Sequence, residues 1–300
     1  MIRIGVDFGG TKIEVAALDQ DGGFQARVRQ ANPGDYKDAV EIVRALVEEA
    51  EKEAGVHVER VGVGVPGSLS PKTGTMRNAN SVWLNGQPFD KDLAKALGRE
   101  VRLANDANCF ALSEATDGAG AGAPVVFGVI IGTGCGGGVV VNGKLIDGVN
   151  AIAGEWGHTP LPWPSADERG AHLDWCGRTD CLETWISGTA FVTDYRAHGG
   201  QETSGAAIAA AARAGDLVAV SALDRYVSRL GRGLAVICDL LDPDVIVMGG
   251  GMSNTDELYD RVPKTLEHYM FSDVMRTKLV KAKFGDSSGV RGAAWLWPWD

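Results

Sequence analysis

The stretch Ile2-Arg3-Ile4-Gly5-Val6-Asp7-Phe8-Gly9-Gly10-Thr11-Lys12-Ile13 opens the chain as an alternating apolar run that ends in paired glycines. Alternation at Ile2, Ile4 and Val6 predicts a buried strand over residues 2–7, a glycine turn, and a second strand from Ile13 to Leu18. Asp21-Gly22-Gly23 is a hairpin signal, and Phe24–Arg29 is the returning strand, so three antiparallel strands open the fold. The pattern begins again in the second half. Val125–Ile131 is a fully apolar strand, Gly132–Gly138 a glycine turn, and Val139–Asn142 a second strand closed by Asn142-Gly143. Strand, glycine turn, strand and hairpin twice over predict a structural duplication.

Between these openings the period changes. Val40, Val43, Leu46, Val47 and Ala50 share one face of a predicted helix over Tyr36–Ala54. Arg60–Val65 reads as a strand, Phe89–Leu97 as a helix, Val101–Ala104 as a strand and Asp106–Ala115 as a helix. The glycine- and alanine-rich segment Thr116–Pro124 is the expected domain boundary. Beyond the second opening, Thr189–Leu241 has helical spacing throughout. Val245–Met248 is a buried strand, Leu258–Tyr269 a helix, Leu279–Ala282 a strand and Val290–Trp297 a terminal helix.

Composition narrows the function. The chain has 300 residues, enough for two ordinary domains, and a formal net charge of −10, which argues against a protein that tracks nucleic-acid phosphates. No apolar run approaches the ~18 residues that span a bilayer, so no membrane partner is expected. The N-terminus enters a strand at once with no signal peptide, which predicts a cytoplasmic location. Five cysteines, an odd number, make a disulfide framework a poor expectation; only Cys176 and Cys181 are close enough to share a metal.

Asp7-Phe8-Gly9-Gly10-Thr11-Lys12 has the chemistry of a polyphosphate cradle. Backbone N–H groups at Gly9 and Gly10 can approach phosphate, Thr11 and Lys12 can donate to it, and Asp7 can hold a hydrated Mg²⁺. The competing reading is a hairpin turn that only needs glycine. Gly132-Thr133-Gly134-Cys135-Gly136-Gly137-Gly138 is a second cradle in the equivalent place, with more glycine than a hairpin requires. The two turns together could grip one triphosphate. Gly249-Gly250-Gly251 after a buried strand offers flat backbone for an adenine or ribose; helix capping is its competitor. A P-loop is absent, and so is a dinucleotide fingerprint in its required place between a strand and a helix.

Asp106, in Asn105-Asp106-Ala107-Asn108, sits where a strand becomes a helix. A carboxylate there can take the proton of an attacking hydroxyl; an N-cap is the plain alternative. Glu155-Trp156-Gly157-His158 and Cys176-Gly177-Arg178-Thr179-Asp180-Cys181 bring three soft ligands, His158, Cys176 and Cys181, suited to Zn²⁺. Asp174 or His172 can supply a fourth ligand, and two free cysteines with no metal are the alternative. Gly285-Asp286-Ser287-Ser288-Gly289 matches a hydrolase elbow, but no histidine follows it; helix capping by the serine pair is expected instead.

Taken in order, these motifs resemble the ROK family of sugar kinases along the whole chain. The residues that carry the resemblance are Asp7–Lys12, Val63–Gly67, Asn78–Phe89, Asn105–Asn108, Gly132–Gly138, Glu155–His158, Cys176–Glu183 and Gly249–Gly251. The run Gly285–Pro298 is similar to the bacterial fructokinase, or manno(fructo)kinase, branch. The resemblance implies an α/β protein with the actin-like, ribonuclease-H-like fold: two α/β domains with a cleft between them. One domain is expected over residues 1–116 plus about 285–300, the other over 117–284. It implies ATP and Mg²⁺ at Asp7, Gly9, Gly10, Thr11, Lys12, Gly132, Thr133, Gly134 and Gly249–Gly251. Asp106 becomes the general base. Gly67, Asn80, Asn105, Glu155, His158 and Glu183 become the sugar site, with fructose as the favoured hexose. Glucokinase, mannokinase and N-acylhexosamine kinase are the alternatives, and a sugar-responsive regulator is the alternative of another class. A homodimer is expected from the family. The family's zinc pattern is C-x-C-G-x-x-G-C-x-E; here Asp174 replaces its first cysteine and Asp180 the glycine before its last. A structural zinc on His158, Cys176, Cys181 and Asp174 is therefore an expectation that departs from the pattern.

Overall fold

A computed structural model describes residues 1–298; the last two residues of the predicted terminal segment lie outside the described residues. The chain divides into two compact units. The first holds residues 1–121, 143–153 and the C-terminal segment from Asp286; the second holds 122–142 and 154–285.

In the first unit, strands Arg3–Phe8, Lys12–Leu18 and Phe24–Ala31 form the antiparallel opening. Strands Arg60–Val65 and Glu100–Asn105 then add in parallel to the first of them. Helix Tyr36–Ala54 begins on Asp35, whose carboxylate accepts the N–H groups of Lys37 and Asp38, and ends on Gly55 at φ 65°. Its buried stripe includes Val40, Val43, Leu46, Val47 and Ala50, the residues that share a face in the sequence. Helix Ser288–Ala294 lies on the sheet so closely that a Cβ at Gly5 would strike Val290 O and one at Gly62 would strike Ala293 O. The serine pair caps nothing: Ser287 makes no side-chain cap bond, and Ser288 Oγ donates to Glu114 Oε1 at 2.9 Å. Burial explains the difference, since both Ser288 and Glu114 are buried and each needs a partner.

The second unit repeats the scheme. Strands Val125–Ile131 and Cys135–Val141 are antiparallel, and Val245–Gly249 and Lys278–Lys281 follow in parallel. The strand expected from Val139 starts four residues earlier, because Gly136, Gly137 and Gly138 pair across to Ile130, Val129 and Gly128. The long helical stretch divides into Gly188–Ala197, Gly205–Arg213 and Leu217–Leu241. Its breaks fall at Gly199-Gly200 and at Gly215, the glycines Gly199 and Gly215 having positive φ. No single helix among the described residues is long and apolar enough to cross a membrane; Gly205–Arg213 and Leu217–Leu241 qualify only as a pair bent by 117°. The longer helix buries Leu223, Tyr226, Leu230 and Leu234 in the core of its own unit.

Candidate functional site

In the first unit three neighbouring parallel strands deliver the predicted residues at their carboxyl ends, where open α/β sheets bind ligands. Asp7 lies near the end of Arg3–Phe8, Gly67 just past Arg60–Val65, and Asn105 at the end of Glu100–Asn105. The glycine turn is locked by Asn32, whose backbone N–H donates to Thr11 O and whose Nδ2 donates to Gly9 O at 2.8 Å. Gly10 and Thr11 are exposed. Lys12 Nζ lies 3.3 Å from Glu14 Oε2, and Arg27 closes on the same carboxylate at 2.6 Å.

Asp7 stands opposite Glu14 in the antiparallel register. Desolvation pushes its carboxyl up to about 6, and the negative charge of Asp106, Glu14 and Asp286 pushes the same way. Like charge crowded around a half-buried carboxylate is what a divalent cation relieves, so Asp7 fits the Mg²⁺ role expected of it.

The N-cap question at Asp106 is settled by geometry. Asn105 is the cap: its Oδ1 accepts from Ala107 N at 2.8 Å and Asn108 N at 3.4 Å. Asp106 is the first helical residue, and its side chain is open to solvent although protein mass surrounds it. The surrounding protein raises its carboxyl from the ordinary value by desolvation, opposed by the Ala107 N–H and the Asn105 side chain. Gly67 sits at φ 77° where a Cβ would strike Arg77 O, and its carbonyl lies 3.5 Å from Asn105 Nδ2. Asn80 is exposed, and its Oδ1 accepts the neighbouring Ser81 N–H at 2.8 Å.

The second unit gathers the other half of the predicted set. Glu183 Oε2 accepts from Cys135 N at 2.7 Å, and a Cβ on Gly134 would come within 2.6 Å of that oxygen. Gly134 therefore lets the glycine turn lie against Glu183. Gly137 has a packing reason too: a Cβ there would meet Gly154 O, Phe127 and Trp156 at 2.9 Å. Some of the glycine excess thus serves the close approach of Glu155–His158 rather than phosphate. Thr133 is exposed beside Thr189, whose hydroxyl donates to Thr133 O at 2.9 Å. Gly250 has φ 77° and would strike Ile131 O with a Cβ; Gly251 opens a short 3-10 helix, Gly251–Asn254, not a long helix. A cavity of about 640 Å³ in this unit is lined by Thr133, His172, Trp175, Glu183, Thr189 and Arg225 among others.

The candidate metal ligands converge. His158, Asp174, Cys176 and Cys181 place one donor atom each within 4.8 Å of all the others. His158 Nδ1 lies 2.8 Å from Asp174 Oδ2, Cys176 Sγ lies 3.0 Å from the same oxygen, and the two sulfurs are 3.6 Å apart. Tetrahedral zinc with Zn–S bonds of about 2.3 Å separates its sulfurs by about 3.8 Å, close to the spacing seen, so the set fits. Desolvation and the Asp174 carboxylate push the Cys181 thiol up, and only a cation would make it a thiolate. His172 is outside the cluster, its ring edge-on to Trp185 at 4.3 Å. Asp180 takes a left-handed φ of 59°, a conformation that favours glycine. Its carboxylate accepts the N–H groups of Gly170, Ala171 and His172, which offsets that strain.

Two residues escaped the sequence reading. Asn32 carries no motif, and its role follows only from the folded hairpin. Trp175 Nε1 donates to Glu183 Oε1 at 2.9 Å, and its ring meets His158 edge-on at 5.0 Å. Its place between two metal ligands was the one available signal.

Known proteins are similar to this chain over nearly its whole length. The sequence matches the ROK family over residues 3–299. It is 41% identical to an N-acetyl-D-glucosamine kinase of Yersinia pseudotuberculosis over 298 residues, 97% of each chain. The structure is similar to the ROK hexokinase of Thermus thermophilus, with TM-score 0.88, 31% identity, and 99% and 97% of the two chains covered. It is also similar to a ROK family glucokinase from Streptomyces griseus in complex with glucose and AMPPNP, with TM-score 0.78, 30% identity and 99% of each chain covered. A match that runs almost from end to end, on a fold whose duplicated opening was legible beforehand, identifies the chain as a member of the ROK family.

Proposed function

We propose that the protein transfers the terminal phosphoryl group of ATP to a hydroxyl of a hexose or N-acetylhexosamine, with N-acetylglucosamine as the first substrate. The observation that carries this reading is Asp106: a solvent-open carboxylate at a strand end, relieved of helix capping by Asn105. Asp106 accepts the proton of the sugar O6 hydroxyl as that oxygen attacks phosphorus. Glu183, Glu155, His158, Asn105, Asn80 and Gly67 orient the sugar. Each hydroxyl they bind selects for its geometry, because a missing partner leaves a desolvated group unpaired. His158 uses Nδ1 toward Asp174, so Nε2 is the ring nitrogen that reaches the sugar.

Asp7 would hold Mg²⁺, which when bound supplies charge neutralisation for the phosphates. Backbone N–H groups at Gly9, Gly10, Gly132 and Gly134, with Thr11, Lys12 and Thr133, bind the phosphates, and Gly249–Gly251 admit the nucleoside. Zinc on His158, Asp174, Cys176 and Cys181 would fix the segment that joins His158 to Glu183.

Support for N-acetylglucosamine comes from the Yersinia relative, which covers 97% of the chain at 41% identity. Fructose, expected from the run Gly285–Pro298, is the second reading. A coupled assay of ADP release with N-acetylglucosamine, N-acetylmannosamine, glucose, mannose and fructose, ranked by kcat/KM, tests both. The proposal stands if N-acetylglucosamine leads, and the fructose reading replaces it if fructose does.

A further inference from the structure

Residues 173–176 alternate in burial. Asp174 is 4% exposed and turns into the metal cluster, whereas Leu173 and Trp175 are 75% and 66% exposed. A tryptophan that far out contributes little to a core, and a large exposed indole needs another account. Its polar edge is not idle. Nε1–H donates to Glu183 Oε1 at 2.9 Å, while Cys135 N–H holds the other oxygen of the same carboxylate at 2.7 Å. Two donors on two oxygens fix the carboxylate in one plane. Each oxygen retains a lone pair for a further donor. The same ring is set edge-on to His158 at 5.0 Å and lines the cavity that Glu183 and Thr133 also line.

We infer that Trp175 is a positioning residue of the sugar site: its N–H fixes Glu183 for the sugar hydroxyls and its exposed face packs against the apolar C–H face of the sugar ring. This rests on the assignment of Glu183 to the sugar. The chemistry suits a pyranose or furanose, whose hydroxyls point outward and whose ring C–H bonds make one face apolar, and it suits an indole, which is apolar over its faces and polar at one edge. Without the indole N–H, Glu183 keeps one anchor and turns about its terminal bond, so the sugar must order the carboxylate as it binds.

Two substitutions separate the parts. Trp175→Phe keeps an aromatic face and removes the donor; Trp175→Ala removes both. Hydrogen bonds to a charged group are strong, and their loss at a partly open site predicts a sugar KM raised about five- to twenty-fold in Trp175→Phe. A further rise is expected in Trp175→Ala. The KM for ATP, the bound-metal content and the melting temperature should match those of the wild type. N-acetylglucosamine, glucose and fructose are each titrated into wild type and Trp175→Phe, and tryptophan emission is followed. The sugar-dependent change should shrink in the variant. Glu183→Gln is measured beside them. If it raises the sugar KM and Trp175→Phe does not, the inference about Trp175 fails alone. If Glu183→Gln leaves the sugar KM unchanged, the assignment of Glu183 fails and the inference falls with it. If Trp175→Phe loses metal and raises both KM values together, the tryptophan acts on the loop and not on the sugar, which also overturns the proposal.

Discussion

Replacing Asp7 by asparagine should make the ligand-free protein more stable while removing its activity. The Asp7 carboxyl stands at about 6 against an ordinary value of 3.8, through desolvation and then the charges of Asp106, Glu14 and Asp286. The folded protein therefore holds this proton more tightly than the unfolded chain does. Asp7 favours the fold fully below the unfolded value, and that contribution is lost as the pH rises through about 6. At ~1.36 kcal/mol per pKa unit the cost of the ionised form is roughly 3 kcal/mol at pH 8, about half that at pH 5 and about 0.5 kcal/mol at pH 4. Partial solvent access reduces the working figure to about 2 kcal/mol at pH 8. Asp7→Asn removes the charge at nearly constant volume. Thermal unfolding of nucleotide-free, Mg²⁺-free protein at pH 4, 5, 6.5 and 8 should show the variant ahead of the wild type at pH 8 by a few °C, with the gap closing toward pH 4. Added Mg²⁺ should stabilise the wild type more than the variant. A variant no more stable than the wild type at pH 8, or a gap that ignores pH, would refute the reasoning.

Asp106→Asn should lower kcat by roughly 10²–10⁴ with no fall in the melting temperature, because Asn105 and not Asp106 caps the helix; steady-state kinetics beside a thermal melt checks both halves. Cys176→Ser should release metal and lower the melting temperature, read by elemental analysis and calorimetry, and native protein without zinc would contradict the assigned ligands. Glu168 is held at about 2: desolvation raises its carboxyl, but hydrogen bonds from Arg229, the Ser165 backbone and Arg232 outweigh it. Its stabilisation is complete above the unfolded value of 4.5 and is lost as the pH falls toward about 2. Glu168→Ala should cost about 3–5 kcal/mol at pH 7, seen in urea unfolding, because it leaves buried Arg232 without its carboxylate partner and buried Arg229 with Asp194 alone.

Local signals were legible where one element decides them. Helix Tyr36–Ala54 and strands Arg60–Val65 and Val125–Ile131 have the bounds their apolar periods predict. Strand Cys135–Val141 extends beyond its apolar pattern because Gly136–Gly138 have no strand preference of their own; their pairing depends on a partner strand. The short hairpin Ser68–Leu69 with Met76–Arg77 carried no alternation long enough to see. The candidate ligands His158, Cys176 and Cys181 were visible as types and spacings, and Asp174 and His172 were equivalent until the turn at Asp174–Gly177 brought one inward. Trp175 was marked only by its place between Asp174 and Cys176, since its hydrogen bond reaches across eight residues to Glu183 and exists only once the loop has folded.

The most direct measurement is ATP consumption by the purified protein with Mg²⁺ and N-acetylglucosamine, followed as ADP release together with the phosphorylated sugar. The account predicts one ADP for each sugar 6-phosphate and no comparable turnover when Asp106 is asparagine. No ADP release with N-acetylglucosamine or any of the other hexoses, or full turnover by Asp106→Asn, would contradict it.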